Sequence, residues 1–261
     1  MPFAHDSLAA AAMQSFLAGG VGTALGAVPI LFLRRIAPRV ESALSGFSAG
    51  VMLAAAFVAL LLPALELARA GSVHPFTASL PIALGVALGT AFVAWLHGAL
   101  PHEHFAKGRE GADSARLRRV WLFALALALH NVPEGLAVGV GVASGDEHVS
   151  LPVTLGIAVQ NVPEGLIVAL AFVAAGYTKR EALLVTAATG IVEPVAACFG
   201  WTALQFVSAA MPAALSFAAG AMIYVVSHEI IPESHREERS VVATWGLVLG
   251  VLLMVLVDAA L

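Results

Sequence analysis

Two nearly repeated segments carry side chains that could bind a metal ion. They read "LHNVPEGLAVGV" and "VQNVPEGLIVAL", and each sets polar residues in an apolar run. On a helix, residues four apart lie on one face, so His130 shares a face with Glu134, and Gln160 with Glu164. The spacing therefore predicts two polar pairs, each on one face of an otherwise apolar helix.

The two glutamates need compensation if they lie inside a bilayer. A carboxylate at the bilayer centre costs at least ~2.5 kcal/mol, and two carboxylates that meet also repel each other. A divalent cation would offset both effects, with one imidazole nitrogen and three oxygens as ligands. That mixture favours zinc, iron or manganese over calcium or magnesium. The alternative is that Glu134 and Glu164 are protonated or hydrogen-bonded residues that join helices, but the matched repeat favours a metal site.

Proline and asparagine accompany each glutamate. Pro133 and Pro163 cannot donate to the carbonyl four residues earlier, so we expect each helix to kink and to expose a backbone oxygen. Such irregular backbone is tolerated in a membrane where it lines a cavity or packs inside protein. Asn131 and Asn161 are each rotated about 100° from the preceding His or Gln.

Further acidic residues and histidines extend the set of candidates. Glu193, in "ATGIVEPVAAC", is a third carboxylate that could face the same cavity or could be a helix-packing polar residue. The segment "SHEIIPESH" could supply exit-path ligands or could be a solvated helix end; its candidates are His228, Glu229, Glu233 and His235. Three further histidines could bind a metal weakly, but we interpret them as exposed loop residues; they are His97, His102 and His104.

The elements that position these residues are transmembrane helices. The chain is 60% hydrophobic and 11% charged, and its apolar residues form runs of about 20, the length that crosses a bilayer as a helix. We predict an all-α polytopic membrane protein, a single domain over residues 1–261, with a cytoplasmic loop at about 101–119. Its eight predicted spans are Ser7–Leu33, Ala43–Leu67, Ala78–Leu100, Val120–Ala143, Leu151–Gly176, Ala182–Ser208, Ala210–Ile231 and Val241–Ala260.

Charge predicts the orientation of the chain. Of the 13 Lys and Arg residues, only Arg69 falls on the side of the termini, and an excess of such residues marks the cytoplasmic side. Both termini are therefore expected outside the cytoplasm. The net charge of -4 argues against a nucleic-acid partner. The one cysteine, Cys198, excludes an intramolecular disulfide.

Spans two and seven also resemble each other. They read "GFSAGVMLAAAFVALLLPALE" and "SFAAGAMIYVVSHEIIPES", and they cross the membrane in opposite directions. This predicts an inverted repeat with spans four and five as its central pair, a plan that is common in transporters.

At these residues the sequence resembles the ZIP family of divalent metal transporters, in particular its bacterial GufA-like members. "HNVPEG" and "QNVPEG" match the paired signature of that family, and eight spans match its topology. The resemblance implies an eight-helix bundle in a 3+2+3 arrangement, with a binuclear metal site between spans four and five. The implied first site comprises His130, Glu134, Gln160 and Glu164. The implied second site comprises Asn131, Glu134, Asn161, Glu164 and Glu193, and the implied inner exit comprises His228 and Glu229.

One implied ligand departs from the family pattern. Where some bacterial relatives have Asp, this chain has Asn161, which keeps an oxygen ligand but removes a charge. We therefore expect the second metal site to be weaker than the first.

The resemblance implies transport of divalent transition metals into the cytoplasm, across the inner membrane of a bacterium. Zinc is the first expectation, followed by cadmium, iron and manganese. Two alternatives are an intramembrane zinc hydrolase and a proton-coupled carrier of another solute. A hydrolase of the His-Glu-x-x-His type is disfavoured, because "HEIIP" has Pro232 where the second histidine belongs. We predict no enzymatic activity.

Pairs of glycines spaced four apart could serve close helix contacts. Two such pairs are Gly22 with Gly26 and Gly85 with Gly89. The pattern leaves open whether they pack inside the bundle or between the subunits of a homodimer.

Overall fold

A computed structural model of the chain describes residues 7–70, 74–100, 102–104, 108–110, 119–206, 210–235 and 240–261. These residues form long helices and one short hairpin. The helices are α1 (Leu8–Leu31), α2 (Pro38–Ala70), α3 (Pro75–Ala99), α4 (Arg119–Ala143), α5 (Glu147–Ala174), α6 (Lys179–Thr189 and Val192–Phe206), α7 (Met211–Ser234) and α8 (Ser240–Ala260).

The hairpin was not predicted. Its strands β1 (His102–His104) and β2 (Gly108–Glu110) pair in antiparallel fashion. They lie in the segment predicted as a loop at about residues 101–119. The other residues of that segment before α4, and the side chains of His102 and His104, lie outside what the structure describes.

Within the described residues, seven helices are long and apolar enough to cross a bilayer, all but α4. Helix α4 has 25 residues and is therefore roughly 38 Å long. The structure confirms a helical protein with several helices that are long and apolar enough to span a membrane. Large exposed apolar side chains, such as Leu88, Trp95 and Phe199, cover the outer faces of these helices, as contact with lipid requires.

Three of the helices contain π-helical turns, which the sequence did not predict. They are Phe16–Val21 in α1, Ala55–Leu61 in α2 and Val226–Ile230 in α7. A π turn inserts an extra residue into the helix and is found frequently at functional sites. The turn in α7 contains His228 and Glu229, two of the predicted exit residues.

The helices pack in four close pairs, α1 with α5, α2 with α8, α3 with α7 and α4 with the second part of α6. Small residues allow the backbones to approach. Gly22 and Gly26 of α1 lie against the backbone of α5, and Gly85 and Gly89 of α3 lie against α7. Both glycine pairs that the sequence singled out therefore form contacts within the chain.

Candidate metal centre

The centre lies where α4 and α5 are joined by α1 and α6. The glycine after each motif glutamate makes this possible. Gly135 of α4 contacts the backbone of Glu193 in α6, and Gly165 of α5 contacts the backbone of Thr23 in α1. A methyl group at either glycine would overlap a backbone oxygen of the facing helix. The glycines therefore hold four helices close around the glutamates that precede them.

Both motif prolines lie inside their helices, since Pro133 is within α4 and Pro163 is within α5. Neither ends its helix. The hydroxyl of Ser48 in α2 donates to the backbone oxygen of Gln160, at 3.2 Å. Part of the α5 backbone next to the motif is thus bound by a side chain of α2.

Glu134 and Asn161 form a direct contact between α4 and α5. Glu134 is fully buried, and its Oε2 accepts a hydrogen bond of 3.1 Å from Nδ2 of Asn161. The same Nδ2 donates to the backbone oxygen of Ile157 at 3.0 Å, and Oδ1 of Asn161 accepts from the hydroxyl of Thr23 at 2.9 Å. Three hydrogen bonds therefore fix the Asn161 amide, while Oε1 of Glu134 has no partner in the described structure.

Two further carboxylates lie near Glu134. Glu164 and Glu193 are both within electrostatic range of it, and Glu193 also interacts with Glu164. All four of their carboxylate oxygens are buried and lack a hydrogen-bond partner among the described residues. Gly19 of α1 provides the space for Glu193, because a Cβ at Gly19 would overlap that carboxylate. Buried anions without partners are costly, so this group of carboxylates is suited to a cation.

Two amides border the carboxylates. Gln160 is fully buried, and neither Oε1 nor Nε2 has a hydrogen-bond partner in the part of the chain described. Asn131 donates from Nδ2 to the backbone oxygen of Thr189 at 3.0 Å, at the break in α6, and its Oδ1 is likewise unpartnered. Both amides thus have an oxygen available for a metal ion.

His130 is turned toward a second group of residues. Its Nε2 contacts Oε2 of Glu229 in α7, and it is also within electrostatic range of Glu164. The other oxygen of Glu229 lies 2.7 Å from Nε2 of His97. The structure thus links a predicted first-site residue, His130, directly to a predicted exit residue, Glu229.

The interpretation of His97 as an exposed loop residue was wrong. Helix α3 continues to Ala99, because "AWLHGAL" contains no helix-breaking proline before Pro101, and His97 is only 4% exposed. Its position at the end of an apolar run was the signal that could have identified it. His97, His228 and Glu229 each offer a ligand atom, and these atoms lie within 4.8 Å of one another.

An aromatic side chain orders this second group. The ring of Tyr224 stacks on that of His228, with centroids 4.9 Å apart, and the edge-to-face ring of His97 is 5.6 Å from Tyr224. By contrast, His235 forms helix-end contacts. Its Nδ1 lies 2.8 Å from the hydroxyl of Ser234, and its Nε2 lies 3.1 Å from that of Thr244 in α8.

The sequence of this chain is similar to those of known proteins. A family model described as "ZIP Zinc transporter" matches residues 97–258. The zinc transporter GufA of Myxococcus xanthus is 43% identical over 251 residues, which cover 96% of this chain and 99% of that protein. The zinc transporter ZIPB of Bordetella bronchiseptica is 46% identical over 244 residues, with 94% and 79% covered. The zinc transporter ZIP11 of Homo sapiens is 31% identical, with 98% of each chain covered.

Proposed function

Because the chain belongs to the ZIP family of metal transporters, we propose that it carries divalent transition-metal cations into the cytoplasm, with zinc as the principal substrate. The family is one of transporters and not of enzymes. The observation that carries the proposal is the group of buried carboxylates of Glu134, Glu164 and Glu193, whose oxygens include five without a hydrogen-bond partner among the described residues. A dication entering this group would neutralise charges that the surrounding helices leave uncompensated.

The ligands of the principal site are proposed to be His130, Glu134, Gln160 and Glu164. Two carboxylates balance the charge of a dication, and the imidazole nitrogen favours zinc over calcium or magnesium. His130 also contacts Glu229, so it would exchange that contact for the metal when an ion occupies the site. Cadmium, iron and manganese have compatible ligand preferences and are proposed as weaker substrates.

A second ion would use Asn131, Glu134, Asn161, Glu164 and Glu193. Asn161 is the weak member of this set, since its oxygen already accepts from Thr23 and its nitrogen donates to Glu134. The amide hydrogen that Asn161 donates to Glu134 places positive partial charge beside this carboxylate, where a second cation would otherwise be needed. We propose that the second site is weaker than the first.

The inward path is proposed to begin at His130. Glu229 contacts both His130 and His97, and His228 lies beside His97 with ring centroids 6.0 Å apart. An ion released from the carboxylates would thus meet a second set of nitrogen and oxygen ligands without crossing an apolar layer. A membrane potential negative inside favours this direction by ~2.3 kcal/mol per charge for each 100 mV.

The architecture is proposed to be one domain of eight spans in a 3+2+3 inverted repeat, with α4 as the eighth span. A repeat that relates α1, α2 and α3 to α6, α7 and α8, and α4 to α5, converts the pair α2–α8 into α7–α3. It likewise converts α1–α5 into α6–α4, and all four of these contacts are present. The π turns of α2 and α7 support the same correspondence.

The charge distribution supports a position in a bacterial inner membrane with both termini outside the cytoplasm. A homodimer remains a prediction. The glycine pairs that could have formed its interface are instead used inside the chain.

Uptake of radioactive zinc into proteoliposomes tests the proposed function. The Glu134→Ala variant is expected to lose uptake, while Glu66→Ala, which removes an exposed carboxylate from α2, is expected to keep it. Unchanged uptake in Glu134→Ala would refute transport through this centre. Uptake of protons in place of zinc would support a proton-coupled carrier instead.

A further inference from the structure

A cavity of about 290 Å³ lies at the ends of three helices, away from the metal centre. Arg34 and Arg35, in the segment between α1 and α2, form one wall, and Glu41 at the start of α2 also lines it. A second part of the lining is apolar and belongs to the last turns of α5, including Ile167 and Leu170. The cavity thus joins a charged wall to an apolar one.

The two arginines leave positive charge available in this cavity. Both are exposed, and neither has an ion pair or a side-chain hydrogen bond within the described part of the chain. Against the one carboxylate of Glu41, they leave an excess of one positive charge in the lining. Lys179 adds a further cation nearby, since its Nζ donates to the backbone oxygen of Leu31 at 2.7 Å.

The chain beside the cavity has the character of a membrane boundary. The arginines follow directly on Leu31, Phe32 and Leu33, which are exposed, and Phe32 is 84% exposed. An exposed apolar segment followed by arginines suits the level where acyl chains meet headgroups. The apolar residues of α5 that line the cavity, including Ile167 and Leu170, give an acyl chain a surface to lie on.

We propose that this cavity binds the headgroup of an anionic phospholipid from the cytoplasmic leaflet. The guanidinium groups of Arg34 and Arg35 bind the phosphate, as arginine does through paired N–H donors, and an acyl chain packs along Ile167 and Leu170. Basic cavities between transmembrane helices on the cytoplasmic side are suited to such headgroups. Inorganic phosphate shares the charge but has nothing to place on the apolar wall.

The bound lipid would act on the helix that carries the metal ligands. Ile167 is one turn beyond Glu164 on α5, so a lipid wedged between α5 and the α1–α2 segment would set how far this end of α5 can move. This part of the inference rests on the proposed function and on the proposed topology. The binding itself does not depend on transport.

Native mass spectrometry of the purified chain in neutral detergent tests the site, without zinc present. Titration with phosphatidylglycerol is expected to give one retained lipid, bound at least about tenfold more tightly than phosphatidylcholine. The Arg34→Gln/Arg35→Gln variant is expected to lose about tenfold in that affinity. The matched control Arg39→Gln/Arg180→Gln removes the same charge from the same proposed side, outside the lining, and is expected to change it less than about twofold.

A second variant tests the cavity without changing its charge. Ile167→Trp fills the space beside the arginines and is expected to weaken phosphatidylglycerol binding as well, with thermal unfolding confirming that the variant is folded. Undiminished binding in either variant, or an equal loss in the charge control, would overturn the proposal. Displacement of the lipid by millimolar inorganic phosphate would overturn it too, because the site would then take a free anion. If the wild-type chain binds phosphatidylglycerol as expected but takes up no zinc into proteoliposomes, only the proposed function is refuted.

Discussion

The side-chain amide of Asn161 on α5 donates a hydrogen bond to the carboxylate of Glu134 on α4, at 3.1 Å. This bond joins α5 to α4 at Glu134, which is fully buried. It satisfies one carboxylate oxygen with a neutral group and leaves the other without a hydrogen-bond partner among the described residues. The hydroxyl of Thr23 holds the amide in this orientation, because it donates to Oδ1 of Asn161.

Asn161→Asp should strengthen the second metal position. The change adds a carboxylate beside Glu134, Glu164 and Glu193, which repels them without metal and attracts a dication when metal is present. We expect a lower unfolding temperature than wild type without zinc, a larger increase on adding zinc, and a higher zinc content per chain. Thermal unfolding and elemental analysis measure these quantities. An unchanged zinc-dependent increase would contradict the role given to Asn161.

Thr23→Val should remove the hydrogen bond that orients Asn161, without changing the volume of the side chain appreciably. The buried Oδ1 of Asn161 loses its donor, which costs about 1–3 kcal/mol of stability. Thr202→Val is a suitable control, because its exposed hydroxyl bonds only to the backbone of its own helix, and it should change stability by less than about 0.5 kcal/mol. Equal effects of the two substitutions on thermal unfolding would contradict a stabilising role for the Thr23–Asn161 hydrogen bond.

Gly165→Ala should separate α5 from α1. The added methyl group would overlap the backbone oxygen of Thr23, and forced overpacking costs about 1–3 kcal/mol. Gly98→Ala in α3 meets no atom within 4 Å and is expected to leave stability unchanged or slightly raised. Both variants are compared by thermal unfolding and by zinc uptake. Wild-type uptake and stability in Gly165→Ala would show that close approach of these helices is not required.

His97→Ala should slow release toward the cytoplasm. The imidazole lies 2.7 Å from Glu229 and outside the proposed set of principal ligands, so its loss should lower the maximal rate of zinc uptake more than it changes the apparent affinity. His148→Ala, at the exposed start of α5, provides the control and should transport normally. A pure loss of affinity with an unchanged maximal rate would place His97 in the entry site instead.

The sequence predicted the helices well because each apolar run is long and unbroken. The predicted span Leu151–Gly176 compares with the helix Glu147–Ala174, and Val241–Ala260 compares with Ser240–Ala260. The polar pairs of the two motifs stood out against these apolar runs. A glutamate is costly inside an apolar membrane helix and generally marks a functional position.

Other features depend on tertiary contacts that no local pattern specifies. No residue type in these apolar runs marks where the three π turns occur. His97 was misassigned because a histidine near a loop is usually exposed, and its burial arises from the pairing of α3 with α7. Thr23 is an ordinary residue of α1 until α1 packs against α5 and brings its hydroxyl to Asn161.

The central claim is that a dication is held between Glu134 of α4 and Glu164 of α5. A crystal structure of the zinc-soaked protein, with diffraction recorded on both sides of the zinc absorption edge, tests it most directly. We expect an anomalous peak at about 2.0–2.2 Å from a carboxylate oxygen of each glutamate. Zinc peaks confined to other positions, with this space between α4 and α5 free of metal, would contradict it.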